Sequence, residues 1–363
     1  MKRILFALIL LPILVNAQDN SQHYDVEVNV LRGNIMAQSS DLNHLITGHP
    51  EGLMVNFTKK TFGEKEWEGL YNFPEYGAYF LFQDFKNEIL GKNYAVGLFY
   101  NFYMLNRNLQ FKIATGIAMT TNPYDKVTNS KNNAFGSKFM SNIDLGLAYK
   151  KTNLVGNFGF EAGFLFTHYS NGRTKSPNSG INTYNLNLGV NYAIEDAPIK
   201  LPDTLKSTEK LTEPIRYNMV LRSGINESSI VNSGQHPFYH VGFYADKRIS
   251  RKSALQLGTE IFFSNYNKDF IKYQAVAYPE KNLDPNTDYK RAGVFIGHEL
   301  FINRLSIETQ LGYYVYQPFK FDIPIYDRLG LKYYISKKIF TGVSLKTHLF
   351  LAEAVEFVIG ARI

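Results

Sequence analysis

Residues 157–170 read NFGFEAGFLFTHYS. Phe158, Phe160, Ala162, Phe164 and Phe166 fall on one parity, followed by His168 and Ser170. Asn157, Gly159, Glu161, Gly163, Leu165 and Thr167 fall on the other. A two-residue period with one apolar face is the signature of a strand covered on one side only. The next segment repeats it, with Tyr184, Leu186, Leu188, Val190 and Tyr192 alternating with Asn185, Asn187, Gly189 and Asn191. The C-terminal residues do so again, with Phe357, Ile359, Ala361 and Ile363 against Glu356, Val358, Gly360 and Arg362.

A soluble sandwich would turn that apolar face inward, whereas a membrane barrel turns it to lipid. Many segments are long enough for tilted, membrane-spanning strands, and polar faces such as Gln256-Gly258-Glu260 and Ser306-Glu308-Gln310-Gly312 suit a polar lumen. Sixteen candidate strands follow: 23–34, 51–59, 74–84, 94–104, 108–118, 138–149, 155–170, 182–193, 215–223, 237–247, 252–264, 291–301, 303–313, 322–334, 338–348 and 353–363. Short turns at 105–107, 150–153, 248–251 and 335–338 alternate with longer polar loops at 119–137, 171–181, 224–236 and 265–290. That asymmetry is expected of periplasmic turns and external loops.

The expected fold is therefore all-β, a transmembrane antiparallel β-barrel of the outer membrane with about 14–16 strands. Residues 1–17, with Lys2 and Arg3 before an apolar run, read as an export signal. Residues 18–194 then form a first eight-strand half, and 215–363 a second. The polar segment 195–214, with Pro198, Pro202 and Pro214, joins them. One large barrel is favoured over two tandem eight-stranded barrels, because a tandem has two sheets to close and seat.

The absence of cysteine removes thiol nucleophiles, disulfides and Cys-ligated zinc. The formal charge of +7 is thinly spread, and no motif points to nucleic acid. His236 and His240 straddle a loop and a strand start, and no HxH pair occurs, so neither a metal nor another cofactor is expected.

His168 and Ser170 depart from the apolar stripe they share. A polar pair at the outer end of a lipid-facing strand is costly unless it meets headgroups or performs a task. Residues two apart on a strand stand about 6–7 Å apart at the backbone, near enough for the side chains to meet. His168 is placed to take the Ser170 proton during attack on an ester and return it to the leaving alkoxide. The turn starting at Asn171-Gly172 offers N–H groups for an oxyanion. Asn182 shares the outward parity of Tyr184 and is the candidate to orient the imidazole across the hairpin.

HYSNG at 168–172 and PNSG at 177–180 resemble the active-site strands of the lipid A 3-O-deacylase (PagL) family. VNFTKKTFGEKEWEGLYNFPEYG at 55–77, ILGKNYA at 89–95 and NPYDKVTNSKNNAFGS at 122–137 resemble its longer acyloxyacyl hydrolase branch in Bacteroidetes outer membranes. The resemblance implies a serine esterase in which Ser170 is the nucleophile, His168 the base, and Asn171 and Asn178 contribute to or support the oxyanion site. The acidic member of that family's triad falls at Asn182, a departure from the pattern. Lipid A, or lipopolysaccharide, in the outer leaflet is the implied substrate. Its acyl chains would lie along Phe160, Phe164 and Phe166, with Arg173 and Lys175 near its phosphates. Residues 215–363 resemble only the longer branch and carry no comparable site. A channel, favoured by the polar faces, and a catalytically silent barrel are the competing readings.

Overall fold

The computed structural model describes residues 23–194, 211, 213–349 and 351–363. The export signal and nearly all of the linker expected from the sequence lie outside those residues. The first eight strands are β1 (Tyr24–Ile35), β2 (Glu51–Lys59), β3 (Glu75–Asp84), β4 (Lys92–Met104), β5 (Leu109–Thr120), β6 (Phe139–Val155), β7 (Phe158–Ser170) and β8 (Ile181–Ala193). The second eight are β9 (Arg216–Glu227), β10 (Gln235–Arg248), β11 (Ser253–Ser264), β12 (Arg291–Ile302), β13 (Leu305–Tyr316), β14 (Ile325–Tyr334), β15 (Ile339–His348) and β16 (Leu351–Arg362). Each set is an antiparallel meander closed on itself.

The favoured single barrel is thereby corrected. β8 returns to β1, from Asp25 opposite Ala193 to Ile35 opposite Thr183, and β16 returns to β9. Each set satisfies its own edges, so neither offers a free strand to the other. The physical reason lies in the inward faces. Eight strands enclose a space that side chains can fill, and these chains fill it. Phe262, Phe295, Tyr314, Tyr326 and Phe340 are buried inside the second barrel, and Tyr79, Phe99 and Leu165 inside the first.

The polar residues assigned to a lumen are buried as well. Gln256, Glu260, Ser306, Glu308 and Gln310 are each under 5% exposed. Gln256 and Ser306 donate to Glu299, and the glutamates pair with cations carried on facing strands. Arg222 bonds Glu260 and lies 3.0 Å from Glu308. Arg328 reaches Glu260 at 2.8 Å and Glu356 at 2.7 Å, and Lys332 reaches Glu299 at 2.8 Å and Glu308 at 3.1 Å. In the first barrel, Lys150 bonds Glu27 and lies 3.5 Å from Glu75. Buried charge is tolerable only when paired in this way.

Outward positions are apolar in both barrels, as at Val28, Val30, Phe57, Val96, Leu98, Leu186 and Leu188, then Met219, Leu221, Leu257, Ile296, Phe357 and Ile359, all exposed. Belts of this kind make the fold membrane-type. The 265–290 loop contains a helix, α1 (Tyr266–Ala277), where the sequence reading expects only polar loop.

The barrels touch at both ends. At one, Tyr71 donates to the Phe301 carbonyl at 2.7 Å, and burial pushes its phenol up to about 12 despite the nearby Arg248. At the other, the loop after β7 meets the second barrel.

Candidate active site

The site is built where β7 ends. In the β7–β8 ladder His168 is opposite Asn182, and in the β6–β7 ladder Ser170 is opposite Ser141. Ser141 donates its hydroxyl to the Ser170 carbonyl at 2.8 Å, which holds the last residue of the strand. His168 Nε2 lies 3.0 Å from Ser170 Oγ, and His168 Nδ1 lies 2.5 Å from Asn182 Oδ1.

The direction of these bonds follows from two backbone carbonyls. Gln38 Nε2 approaches Ser179 O at 3.0 Å and Gly180 O at 3.3 Å, and carbonyls only accept. That orients the Gln38 amide, so its Oε1 is left to accept from Asn182 Nδ2. Asn182 Oδ1 must then accept from His168 Nδ1–H. The lone pair of Nε2 is left pointing at Ser170, as a general base requires.

Residues 171–180 wrap around the pair. The Asn171 N–H donates to Asn178 Oδ1 at 2.9 Å, and the Asn171 side-chain amide donates to Lys175 O at 2.8 Å and Ser137 Oγ at 3.0 Å. The N–H and side-chain amide of Asn171, and the side-chain oxygen of Asn178, are thus taken up in holding the loop. Among the described residues the Gly172 N–H makes no hydrogen bond. Gly180 adopts φ +67°, and a Cβ there would come within 3.2 Å of Ser170 Cβ and 3.3 Å of the His168 ring, so glycine is what fits beside the pair.

The model of the lipid A 3-O-deacylase (PagL) family matches residues 51–191, and that of the acyloxyacyl hydrolase C-terminal domain matches residues 215–363. The chain thus matches the PagL family in its first barrel and the acyloxyacyl hydrolase C-terminal domain in its second. It is accordingly an outer-membrane β-barrel protein. A crystal structure of the outer membrane enzyme PagL aligns over 45% of this chain and 97% of its own, at 17% identity and a TM-score of 0.27. Neisserial surface protein A aligns over 47% and 96%, at 13% identity and 0.26. A Rhodopseudomonas blastica porin variant aligns over 94% and 98%, at 10% identity and 0.20. Scores of this size add nothing to the fold, which rests on the strand pairing. No curated protein matches the chain.

Within the PagL-matching barrel, the geometry brings His168, Ser170 and Asn182 together. Glu161, assigned by parity to the interior, is there, accepting from Asn187 Nδ2 at 2.8 Å. Phe160 and Phe164 are exposed and Phe166 is half-buried on the outward side of β7. Lys175 is exposed, but Arg173 turns toward the second barrel, 5.4 Å from the centre of the Tyr266 ring. Its charge reaches Asp322, whose carboxyl burial lifts above the usual carboxylate range, with Glu353 adding to the rise and Arg291 and Arg173 opposing it. Among the described residues no group of three potential metal ligands occurs. His240 is buried inside the second barrel, 2.7 Å from Glu356 Oε1. The residue missed in the sequence is Gln38, which lies beyond β1. Its one signal was positional, since extending the β1–β8 pairing past Ile35 brings it to the start of β8, where Met36 N donates to Asn182 O at 2.8 Å.

Proposed function

We propose that the first barrel is an outer-membrane serine esterase that removes the 3-linked acyl chain of lipid A. The observation that carries this reading is the hydrogen-bonded series Ser170–His168–Asn182 on the outward face of β7, in a barrel that matches the PagL family. Ser170 Oγ attacks the ester carbonyl as its proton passes to His168 Nε2. The Gly172 N–H meets the negative charge that develops on the carbonyl oxygen. Collapse of the tetrahedral intermediate expels the sugar-side alkoxide, which takes the proton from His168. Water, deprotonated by the same imidazole, then cleaves the acyl–Ser170 ester. The products are a free fatty acid and lipid A with one hydroxyl restored.

Asn182 stabilises an imidazolium less than a carboxylate would. In a serine protease triad, Asp→Asn is damaging chiefly because the amide selects the wrong histidine tautomer. Gln38 removes that difficulty here by presenting Oδ1, rather than the amide nitrogen, to His168. The exposed Phe160 and Phe164 offer apolar area to the acyl chains, and Lys175 offers a cation to the phosphates.

The test is covalent trapping. A long-chain fluorophosphonate should add one phosphonyl group to the protein at Ser170, and His168→Ala should abolish the adduct. Absence of the adduct from folded wild-type protein would contradict the proposal.

A further inference from the structure

The loop that follows the nucleophile is held by the second barrel. Glu227, the last residue of β9 and 2% exposed, accepts from the Ser176 N–H at 2.7 Å through one carboxylate oxygen. Its other oxygen accepts from the Gly234 N–H at 3.0 Å. The backbone N–H of Glu227 donates to Arg173 O at 3.1 Å. Ser176 Oγ donates to Ser228 O at 2.6 Å, and Gln235 Nε2 donates to Thr174 O at 2.7 Å. Arg173, Thr174 and Ser176 are thus each bonded to the β9–β10 hairpin. Gly172 lies against the outer wall of the same barrel, where a Cβ would come within 2.1 Å of Val355 Cγ2 and 3.5 Å of Leu345 Cδ1. Val355 is half-buried there, while Phe357 and Ile359 on the same face of β16 are exposed.

A ten-residue surface loop is ordinarily the most mobile part of a barrel. This one is anchored at one edge by Ser137 and Asn178, and at the other by a buried carboxylate making charge-assisted bonds to main-chain N–H groups. Between those anchors lies Gly172, two residues from the nucleophile.

We propose that the second barrel is a working part of the esterase, and that Glu227 is the positioning residue through which it sets the Ser170–Ser176 segment and hence the Gly172 N–H. The inference rests on the esterase reading above. It accounts for a second closed barrel whose interior charges are paired among themselves. That barrel's contribution to catalysis is its outer end, which serves as the platform for the loop.

Glu227→Gln tests it in the full-length protein. A glutamine keeps the shape but supplies one acceptor where two N–H groups require two, and sets its NH2 against one of them. Gln235→Ala is a milder second variant at an exposed position. Tyr334→Phe is the control, since it removes a bond to Glu299 inside the second barrel and leaves the loop alone. Three quantities are read: amide exchange in 171–178, the rate of fluorophosphonate labelling at Ser170, and kcat and KM for lipid A. Glu227→Gln should speed exchange in 171–178 and lower kcat by roughly tenfold to a hundredfold with little change in KM, and Gln235→Ala should do the same to a smaller degree. Tyr334→Phe should change none of them. Unchanged exchange in Glu227→Gln, or faster exchange with wild-type kcat, would overturn the positioning role. A wild-type protein with a protected loop that neither labels nor deacylates would instead overturn the esterase reading on which this role depends.

Discussion

Asn182 stands directly opposite His168 in the β7–β8 ladder, its Oδ1 2.5 Å from Nδ1, and its amide nitrogen is held by Gln38. The amide does a carboxylate's orienting work only while its oxygen faces the ring, and what keeps it there is a glutamine 144 residues away in the chain.

Gln38→Ala should therefore impair an otherwise intact site. Asn182 is freed to rotate, and a fraction of molecules present Nδ2 to the imidazole, which selects the tautomer that cannot accept from Ser170. Steady-state deacylation should fall by roughly tenfold to a hundredfold with KM little changed. Wild-type kcat in this variant would remove Gln38 from the account.

Substitution of Asn182 separates orientation from charge. Asn182→Leu abolishes the bond to Nδ1 and should lower kcat by roughly a hundred- to ten-thousand-fold. Asn182→Asp restores the negative charge but sets it against Gln38 Oε1, and Gln38 can turn its NH2 to the carboxylate only by giving up Ser179 O and Gly180 O. The two effects oppose, so kcat should stay within about tenfold of wild type. A rise well beyond that would mean that charge, not orientation, limits the rate.

The interior of the second barrel is predicted to be intolerant of a missing cation. Arg222 serves Glu260 and Glu308 and lies 3.8 Å from Glu356, all of them buried. Arg222→Met leaves these carboxylates short of a partner and should destabilise the barrel by about 3–5 kcal/mol, read from its denaturant midpoint. An unchanged midpoint would mean that the remaining cations, Arg328 and Lys332, suffice.

The long loop that supports residues 171–180 has a pH-dependent turn. Asp125 accepts from the Thr128 N–H at 2.8 Å and the Val127 N–H at 2.9 Å, bonds that hold its carboxyl below the ordinary value of 3.8. A depressed carboxyl pKa contributes stability that is present above the ordinary value and is lost as pH falls through the depressed one. Amide protection at Val127 and Thr128, corrected for intrinsic exchange, should persist at about pH 5 and be lost only once the pH has fallen below the ordinary carboxyl value. Loss of protection already at about pH 5 would contradict the assignment.

Much of this was legible in the chain, and for identifiable reasons. Alternation at 157–170 and 184–192 reports strand, face and register together, because a strand's period ties all three. Asn182 could be set opposite His168 from parity alone. Closure was not legible, because alternation does not say whether β8 pairs with β1 or with β9. The clue lay in the bulk of inward residues such as Phe99, Phe262, Phe295 and Tyr326, and in inward cations such as Arg222, Arg328 and Lys332 that can pair with inward glutamates, which suit a filled space better than a watery one. The direction of Arg173 was hidden for the same reason, since Tyr266 faces it only once two barrels stand side by side. Gln38 was out of reach because a loop residue acquires its partners from tertiary packing and leaves no periodic trace.

The central claim is that Ser170 cleaves an acyl ester of lipid A, and mass spectrometry of lipid A incubated in detergent micelles with the purified full-length protein tests it most directly. Wild-type protein should remove a single hydroxyacyl group and release the corresponding fatty acid, while Ser170→Ala leaves the spectrum unchanged. An unaltered spectrum with folded wild-type protein, or equal loss with Ser170→Ala, would contradict it.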